Sequence, residues 1–493
     1  MNAAERLPTH DCPCGVLTLL MHDGAIWGLR LGAPLFRIFV VGSACLMLGA
    51  CTFLQSKSGL GPTDVPFSWV QATPTSEKVW PDAGWWSEFG SAELTGLVAE
   101  AQASNLDLVI ARARVEQADA QARIVGSSLL PTISARGGAN ENGSLQTASG
   151  KTRLLSANVN VSYELDFWGR NAASARAADQ SLRSSVFDQE TVALTTVASV
   201  ASTYFELLSL RERLRLARLN ATNAEKILVL TEKQFAAGTI SKLPVMQQQT
   251  LVSSQRAQLA SLEQQERQTF AALAILLGKP PQSFSVAGQS LEGVNTPSVT
   301  VGLPSELLSR RPDVKSSEAD LEAAQANLAA ARAAYLPSIS LTGDAGVTST
   351  ALAGLLAGSN AAYAIGATLI QNIFRGGELI ADNDLKYARR EELLASYRKT
   401  ALSAFADADT ALSAVRTVSM QEKAQMEATQ AALESLRISE LQYKAGTVDF
   451  LTVLSSQQSA YSAQDRMAQL RSERLQAAVA LFKSLGGGWK DAR

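Results

Sequence analysis

Histidine and cysteine are almost absent from this 493-residue chain, and the few present lie at its start. Both histidines, His10 and His22, and all four cysteines precede residue 52. The rest of the chain therefore cannot form a Cys/His metal site, an internal disulfide or a histidine general base. A hydrolase of the cell envelope would lack a credible catalytic constellation. We expect no enzyme activity, no catalytic residue, no metal and no cofactor.

The charge balance excludes a further class of function. The net charge is −2, with 46% hydrophobic and 18% charged residues. A surface that binds nucleic acid is strongly basic, so no nucleic-acid partner is expected. The hydrophobic content is ordinary for a chain that folds.

The first 50 residues have the pattern of a bacterial lipoprotein signal. Arg30 and Arg37 precede a short apolar run at 38–50, which ends in Leu-Gly-Ala before Cys51. The run is too short to span a bilayer and is of the kind that is removed. We expect residues 1–50 to be the signal peptide, residues 1–20 to be an over-extended start, and Cys51 to carry the lipid. The alternative is a buried apolar helix with a chance cysteine.

Glycine and proline are absent from two long stretches, 170–237 and 378–445. Both are rich in alanine, leucine and charged residues, which favour helix. A helix of this length reaches about 100 Å. Each stretch is followed by a shorter helical pattern, at 245–277 and at 449–485. The glycines that follow the two long stretches, Gly238 and Gly446, are 446 − 238 = 208 residues apart, which indicates a duplicated unit.

Four amphipathic strands accompany these helices, near 131–140, 154–166, 337–348 and 361–373. Odd-numbered positions from Leu155 to Leu165 are apolar or aromatic, and the even-numbered positions between them are polar. This period-2 pattern is typical of a barrel with a lipid-facing and a wet side, although two hairpins of a soluble sheet also show it. Membrane strands must form a closed barrel of at least eight, so four per chain require an oligomer.

The sequence thus predicts an α+β membrane protein with a duplicated helix–strand–strand–long-helix-hairpin unit. The expected segments are the signal at 1–50, a lipidated extended segment at 51–92, the first repeat at 93–278, an inter-repeat linker at 279–304, the second repeat at 305–486 and a tail at 487–493. The extended segment holds four tryptophans, which are expected to pack against the body. We interpret Arg310 and Arg311 as a solvated pair ahead of a helix that starts at Pro312.

Three motifs resemble those of a known family. They are Gly302–Asp313 (GLPSELLSRRPD), Glu164–Arg170 (ELDFWGR) and Ile373–Gly377 (IFRGG). They are similar to segments of TolC-like outer-membrane channels, in the lipoprotein branch that serves RND-type efflux pumps. The similarity covers Cys51 to Trp489. It implies a homotrimer with a twelve-stranded β-barrel, joined to a long periplasmic α-helical barrel with an equatorial region.

The resemblance also implies a function. Such a channel lies in the outer membrane, in contact with its lipid, and extends into the periplasm. It passively conducts small molecules that it receives from an inner-membrane RND-type transporter through a periplasmic adaptor protein. The alternative within the channel class is the outer-membrane channel of a type I protein secretion system. A coiled-coil envelope spacer would explain the helices but not the strands.

The resemblance places adaptor docking at the periplasmic ends of the two helical hairpins. The implied docking residues are Phe235, Gly238, Thr239, Tyr443, Gly446 and Thr447. Candidate gate residues are Leu451, Ser455, Asp449 and Lys242, and we hypothesise that Lys242 and Asp449 pair between neighbouring hairpins. Some relatives carry acidic residues at the positions of Thr452 and Ser455, so an acidic latch is not expected here. A glycine at each helix end also has a purely structural role.

Overall fold

A computed structural model of the chain describes residues 69, 80–143, 151–297 and 304–489. The signal peptide, the lipidation site Cys51 and the start of the linker motif lie outside the described residues. Those expectations remain predictions.

Eight α-helices and four β-strands form the described part, with short 3-10 turns between them. The first half contains α1 (Ala92–Ser104), α2 (Leu106–Gly126), β1 (Thr132–Asn142), β2 (Thr152–Leu165), α3 (Arg170–Ala236) and α4 (Lys242–Leu276). The second half contains α5 (Pro304–Arg310), α6 (Pro312–Ala333), β3 (Ser338–Ser349), β4 (Ala361–Ile370), α7 (Glu378–Lys444) and α8 (Phe450–Ser484). The order helix–strand–strand–long hairpin therefore occurs twice, as predicted.

The duplication keeps its register to the residue in the long hairpins. The helices α3 and α7 are each 67 residues long, and α4 and α8 are each 35. The starts of α3 and α7 differ by 378 − 170 = 208 residues, as do the starts of α4 and α8, 450 − 242 = 208. Both long helices follow a glycine with positive φ, Gly169 (73°) and Gly377 (86°).

Several expected boundaries are wrong. The helix α4 begins at Lys242 rather than at residue 245, because a proline in the first turn (Pro244) lacks only an N–H that would have no helical partner there. The pattern at 93–126 is two helices, since the Asn105 side chain accepts a hydrogen bond from Leu108 N and starts a new helix. The strand β4 ends at Ile370 rather than at 373, and the second repeat begins with the short helix α5, which sequence analysis did not predict.

The four strands form one antiparallel sheet in the order β1-β2-β3-β4. The central pair β2–β3 joins the two repeats, and β1 and β4 are the edges. Cross-strand rows separate the two faces: Ile133, Val161, Gly343 and Ile365 share one row, and Ser134, Asn160, Asp344 and Ala364 share the next. The apolar face is open, with Ile133 71% and Ile365 84% exposed. An apolar exposed face is the arrangement expected of a lipid-facing sheet.

The helices pack side by side in two tiers that share α3 and α7. Next to the sheet, α3 packs against α2 and α6, and α6 packs against α7. Beyond that tier, α3 packs against α4 and α8, and α8 packs against α7. At the junction of the tiers, Trp85 stacks on Phe482 with ring centroids 4.9 Å apart, and Phe89 contacts Phe205. Trp69 and Trp80 pack in a second cluster with the other repeat, so the tryptophans of this segment contact the body, as predicted.

The interpretation of Arg311 as a solvated residue is wrong. Its side chain is only 12% exposed. The guanidinium donates to both carboxylate oxygens of Asp313 (3.0 and 2.6 Å), to Asp407 Oδ2 (3.1 Å) and to the Ser484 carbonyl oxygen. Charge-assisted hydrogen bonds to two carboxylates explain why a cation is stable here. Arg311 thus fastens the start of α6 to α7 and to the end of α8.

Candidate functional site

The two hairpin tips have the same turn. After α3, Gly238 (φ 72°) donates from its N–H to the Phe235 carbonyl, and Thr239 donates from its N–H to the Gln234 carbonyl. After α7, Gly446 (φ 73°) and Thr447 donate in the same way to Tyr443 and Gln442. This is a Schellman motif, in which glycine supplies the left-handed backbone. Each threonine hydroxyl also donates to the carbonyl that its own N–H contacts.

The return helices start differently at the two tips. The Asp449 side chain accepts from Thr452 N at 2.9 Å and from Thr452 Oγ1 at 2.6 Å, which caps α8. These hydrogen bonds hold the pKa of the Asp449 carboxyl below its ordinary value. At the corresponding position, Ser241 precedes α4 without a side-chain cap hydrogen bond. The return helix of the second tip, α8, therefore has a capped start, whereas α4 does not.

Among the described residues, one side-chain hydrogen bond joins the two tips. The Tyr443 hydroxyl on α7 donates to Gln234 Oε1 on α3 at 2.8 Å. The Tyr443 ring meets Phe450 at 5.8 Å in an edge-on arrangement. Burial raises the pKa of the tyrosine hydroxyl, so Tyr443 remains a neutral donor. Tyr443 was among the expected docking residues, but Gln234 was not, because neither its spacing nor its residue type distinguishes it from its neighbours.

Below this contact an apolar cluster holds the hairpins together. Buried members include Val252, Phe450, Leu454 and Tyr461. The Gln457 side chain lies fully buried nearby on α8, with neither its oxygen nor its nitrogen hydrogen-bonded. The hydroxyl of Tyr461 is also buried without a partner, and burial raises its pKa to about 12. Unpaired buried polar groups cost free energy, so this part of the hairpin contact is weaker than an apolar one.

The candidate gate residues lie at the surface of the single chain. Leu451 is 58% exposed, and Lys242 and Ser455 are exposed as well. Leu451 and Ser455 are one helical turn apart and share a face of α8. Within the described residues, no ion pair joins Lys242 to Asp449, whose carboxylate contacts Thr452 instead. Their pairing between neighbouring hairpins remains a prediction, as do the gate and docking roles.

The described residues contain no group of three or more His, Cys, Asp or Glu side chains arranged to hold a metal ion. The site is built from helix ends, an apolar cluster and one polar contact.

Comparison with known proteins identifies the architecture. A family model described as outer membrane efflux protein matches residues 97–279 and 303–487, which includes both tips and all four strands. The chain belongs to the outer membrane efflux protein family. It is the outer-membrane channel component of an efflux system, and it extends from the outer membrane into the periplasm.

Individual relatives are similar to this chain over most of its length. The pyoverdine export outer membrane protein OpmQ of Pseudomonas aeruginosa is 42% identical over 463 residues, 92% of this chain and 97% of that protein. The cation efflux system protein CusC of Escherichia coli is 30% identical over 412 residues, 83% of this chain and 89% of that protein. The crystal structure of the Neisseria gonorrhoeae MtrE outer membrane channel in its open state is similar with a TM-score of 0.81 at 28% identity, over 88% of this chain and 98% of that one. By their names, OpmQ is an export protein for pyoverdine and CusC is a cation efflux protein, which favours efflux over protein secretion.

Proposed function

We propose that three copies of this chain form one continuous channel that passes small molecules from a periplasmic adaptor and an inner-membrane RND-type pump to the outside. The observation that carries this proposal is the sheet with two unpaired edges. The strands β1 and β4 have only one neighbour each within the described chain. Unpaired backbone N–H and C=O groups are not tolerated in lipid. With an even number of antiparallel strands, β1 of one copy runs antiparallel to β4 of the next, so three copies close twelve strands.

The helical tiers support the same closure. In α7, six of 67 residues are buried, whereas 23 of 67 are buried in α3, which occupies the corresponding place in the first repeat. The difference arises because α3 has neighbours on both sides, while α7 lies at the edge of the chain next to α6 and α8. Exposed apolar residues lie along α7, among them Leu385 (63%), Leu402 (57%) and Met420 (65%). On the opposite edge, α2 exposes Ile110 (49%) and Ile124 (65%) and α4 exposes Leu243 (63%). In the trimer α7 packs against α2 and α4 of the next copy.

The channel itself carries out no covalent chemistry in this proposal. The tips bind the adaptor through the exposed surface around Phe235, Gly238 and Gly446, and opening separates the hairpins. Cys51 carries the lipid that holds the extended N-terminal segment at the membrane. The 42% identity to a pyoverdine exporter makes pyoverdine the first substrate to examine.

Two measurements test the proposal. The detergent-solubilised protein is expected to have the mass of three chains. A strain that lacks the gene is expected to retain pyoverdine or an efflux substrate inside the cell, and the wild-type gene is expected to restore export. A monomeric or dimeric mass would contradict the closure. Loss of a secreted protein with normal small-molecule export would favour type I secretion instead.

A further inference from the structure

Arg136 on β1 and Asp344 on β3 are two opposite charges on the polar face of the sheet, and neither has a side-chain partner within the part of the chain that the structure describes. We propose that these two residues determine the charge selectivity of the channel, by forming two adjacent rings of three charges each inside the barrel. This inference rests on the proposed trimer.

The strand register assigns both residues to the inner face. Asp344 lies in the row of Ser134, Asn160 and Ala364, and Arg136 lies in the row of Asn158, Gly346 and Ala362. The rows between and beside them carry Val159, Val161, Tyr363 and Ile365 on the opposite face. Because side chains alternate across a strand, the face opposite the apolar one is the wet interior of a membrane barrel.

Asp344 and Arg136 differ from the other charged residues of the strands. Glu164, the third charge on the inner face, is held by two hydrogen bonds from Arg170 at 2.7 and 2.9 Å. The outer-face charges are Glu141 and Arg153, which pair with each other in the register at the loop end of the β1–β2 hairpin. Among the described residues, neither Asp344 nor Arg136 makes a side-chain hydrogen bond or an ion pair. Their charges are therefore available to a passing solute.

The small residues around Asp344 leave it free to project into the lumen. The residue opposite Asp344 on β4 is Ala364. Gly346 lies two residues further along β3, and a Cβ at that position would collide with the Asn158 side chain. Asn158 and Asn160 lie on β2 between the two charges. Two strand spacings and two residues of rise separate the Cα atoms of Arg136 and Asp344 by about 12 Å.

The expected effect follows from the barrel size. A twelve-stranded barrel with tilted strands places these side chains about 10 Å from the pore axis. With a Debye length of about 10 Å at 0.1 M salt, three unit charges at that distance change the local concentration of a monovalent ion about twofold. The local concentrations of cations and anions change in opposite directions, each about twofold. Removing one ring therefore shifts the cation-to-anion permeability ratio about fourfold.

The test is the reversal potential of the full-length protein in planar bilayers under a potassium chloride gradient. Asp344→Asn is expected to lower the K⁺/Cl⁻ permeability ratio about fourfold, because the arginine ring then acts alone. Arg136→Gln is expected to raise it by a similar factor, and the double variant to return it near the wild-type value. Glu141→Gln, on the outer face, is the matched control and leaves the ratio unchanged. At 1 M salt all differences shrink, since the Debye length falls to about 3 Å.

A second measurement does not depend on opening of the tips. The chain has no cysteine after Cys51, so with residues 1–50 removed and Cys51 lipidated, as proposed above, Asp344→Cys introduces a single reactive thiol. A membrane-impermeant thiol reagent added to cells is expected to label Asp344→Cys but not Ala345→Cys, whose side chain faces lipid. Unchanged permeability ratios in channels of trimer mass, shifts of the same sign in both single variants, or labelling of Ala345→Cys alone would overturn the inference. A wild-type protein that forms no trimeric channel would overturn the proposed function as well.

Discussion

The hydrogen bond from Tyr443 to Gln234 joins the two hairpin tips of one chain, and its removal gives the sharpest prediction about opening. Tyr443→Phe deletes the 2.8 Å contact but keeps the ring against Phe450. A neutral hydrogen bond contributes about 1 kcal/mol net. In a trimer that opens as a unit, three such losses amount to about 3 kcal/mol. The population of open tips should rise about a hundredfold, since about 1.4 kcal/mol corresponds to a factor of ten.

The measurement is the open probability of single channels in planar bilayers, together with entry of a large polar antibiotic into cells that produce each variant. Tyr461→Phe is the matched control, because the Tyr461 hydroxyl lies buried in the same cluster without a partner. Its removal should leave the channel as closed as the wild type or more so. In the double variant Gln234→Ala/Tyr443→Phe, the second substitution should add little. If Tyr443→Phe stayed closed, or if Tyr461→Phe were equally leaky, the proposal that opening breaks this contact would be refuted.

Three further substitutions test other parts of the structure. Gly446→Ala should destabilise the second hairpin by about 1 kcal/mol in thermal unfolding, because alanine disfavours a φ of 73°. Gly446→Asn should cost less. Equal stability of the wild type and these two variants would contradict the left-handed turn. Arg311→Met leaves Asp313 and Asp407 without their shared cation and should lower stability by about 2 kcal/mol. Arg310→Met removes a contact with the Trp80 ring and should cost about 0.5 kcal/mol. A larger loss for Arg310→Met than for Arg311→Met would show that Arg311 is not the stabilising cation. Gln457→Met should raise the unfolding temperature, since it replaces two buried polar atoms that have no hydrogen-bond partner among the described residues with an apolar chain of similar length. A lower unfolding temperature would contradict this account of the buried amide.

Sequence periodicity predicted the repeating architecture well, and the reason is physical. Because apolar and polar residues alternate at 155–165, only an extended strand puts every apolar side chain of this segment on one face. The structure has a strand there. The long helices were predictable because no glycine or proline interrupts them. Their ends coincide with Gly238 and Gly446, whose positive φ stops a helix.

The missed features depend on tertiary partners that no local pattern encodes. Arg311 lies beside Asp313 in the sequence, but the contacts that bury it come from Asp407 and Ser484, about 100 and 170 residues away. Gln234 gains its role from Tyr443 in the other repeat. The break at Asn105 was missed because the apolar spacing continues across it, while the capping side chain decides the boundary. Long-range polar contacts and helix caps could therefore not be predicted from the sequence.

Closure of the barrel between copies is the central claim, and disulfide cross-linking tests it most directly. Cysteine pairs with one member on β1, at 132–142, and one on β4, at 361–370, are introduced into a chain that otherwise has no cysteine after Cys51. Pairs of adjacent residues across the proposed β1–β4 contact should oxidise to covalent species that contain up to three chains, and pairs between β1 and β3 should not link copies. Covalent products limited to two chains, or no inter-chain link at any register, would contradict the twelve-stranded closure.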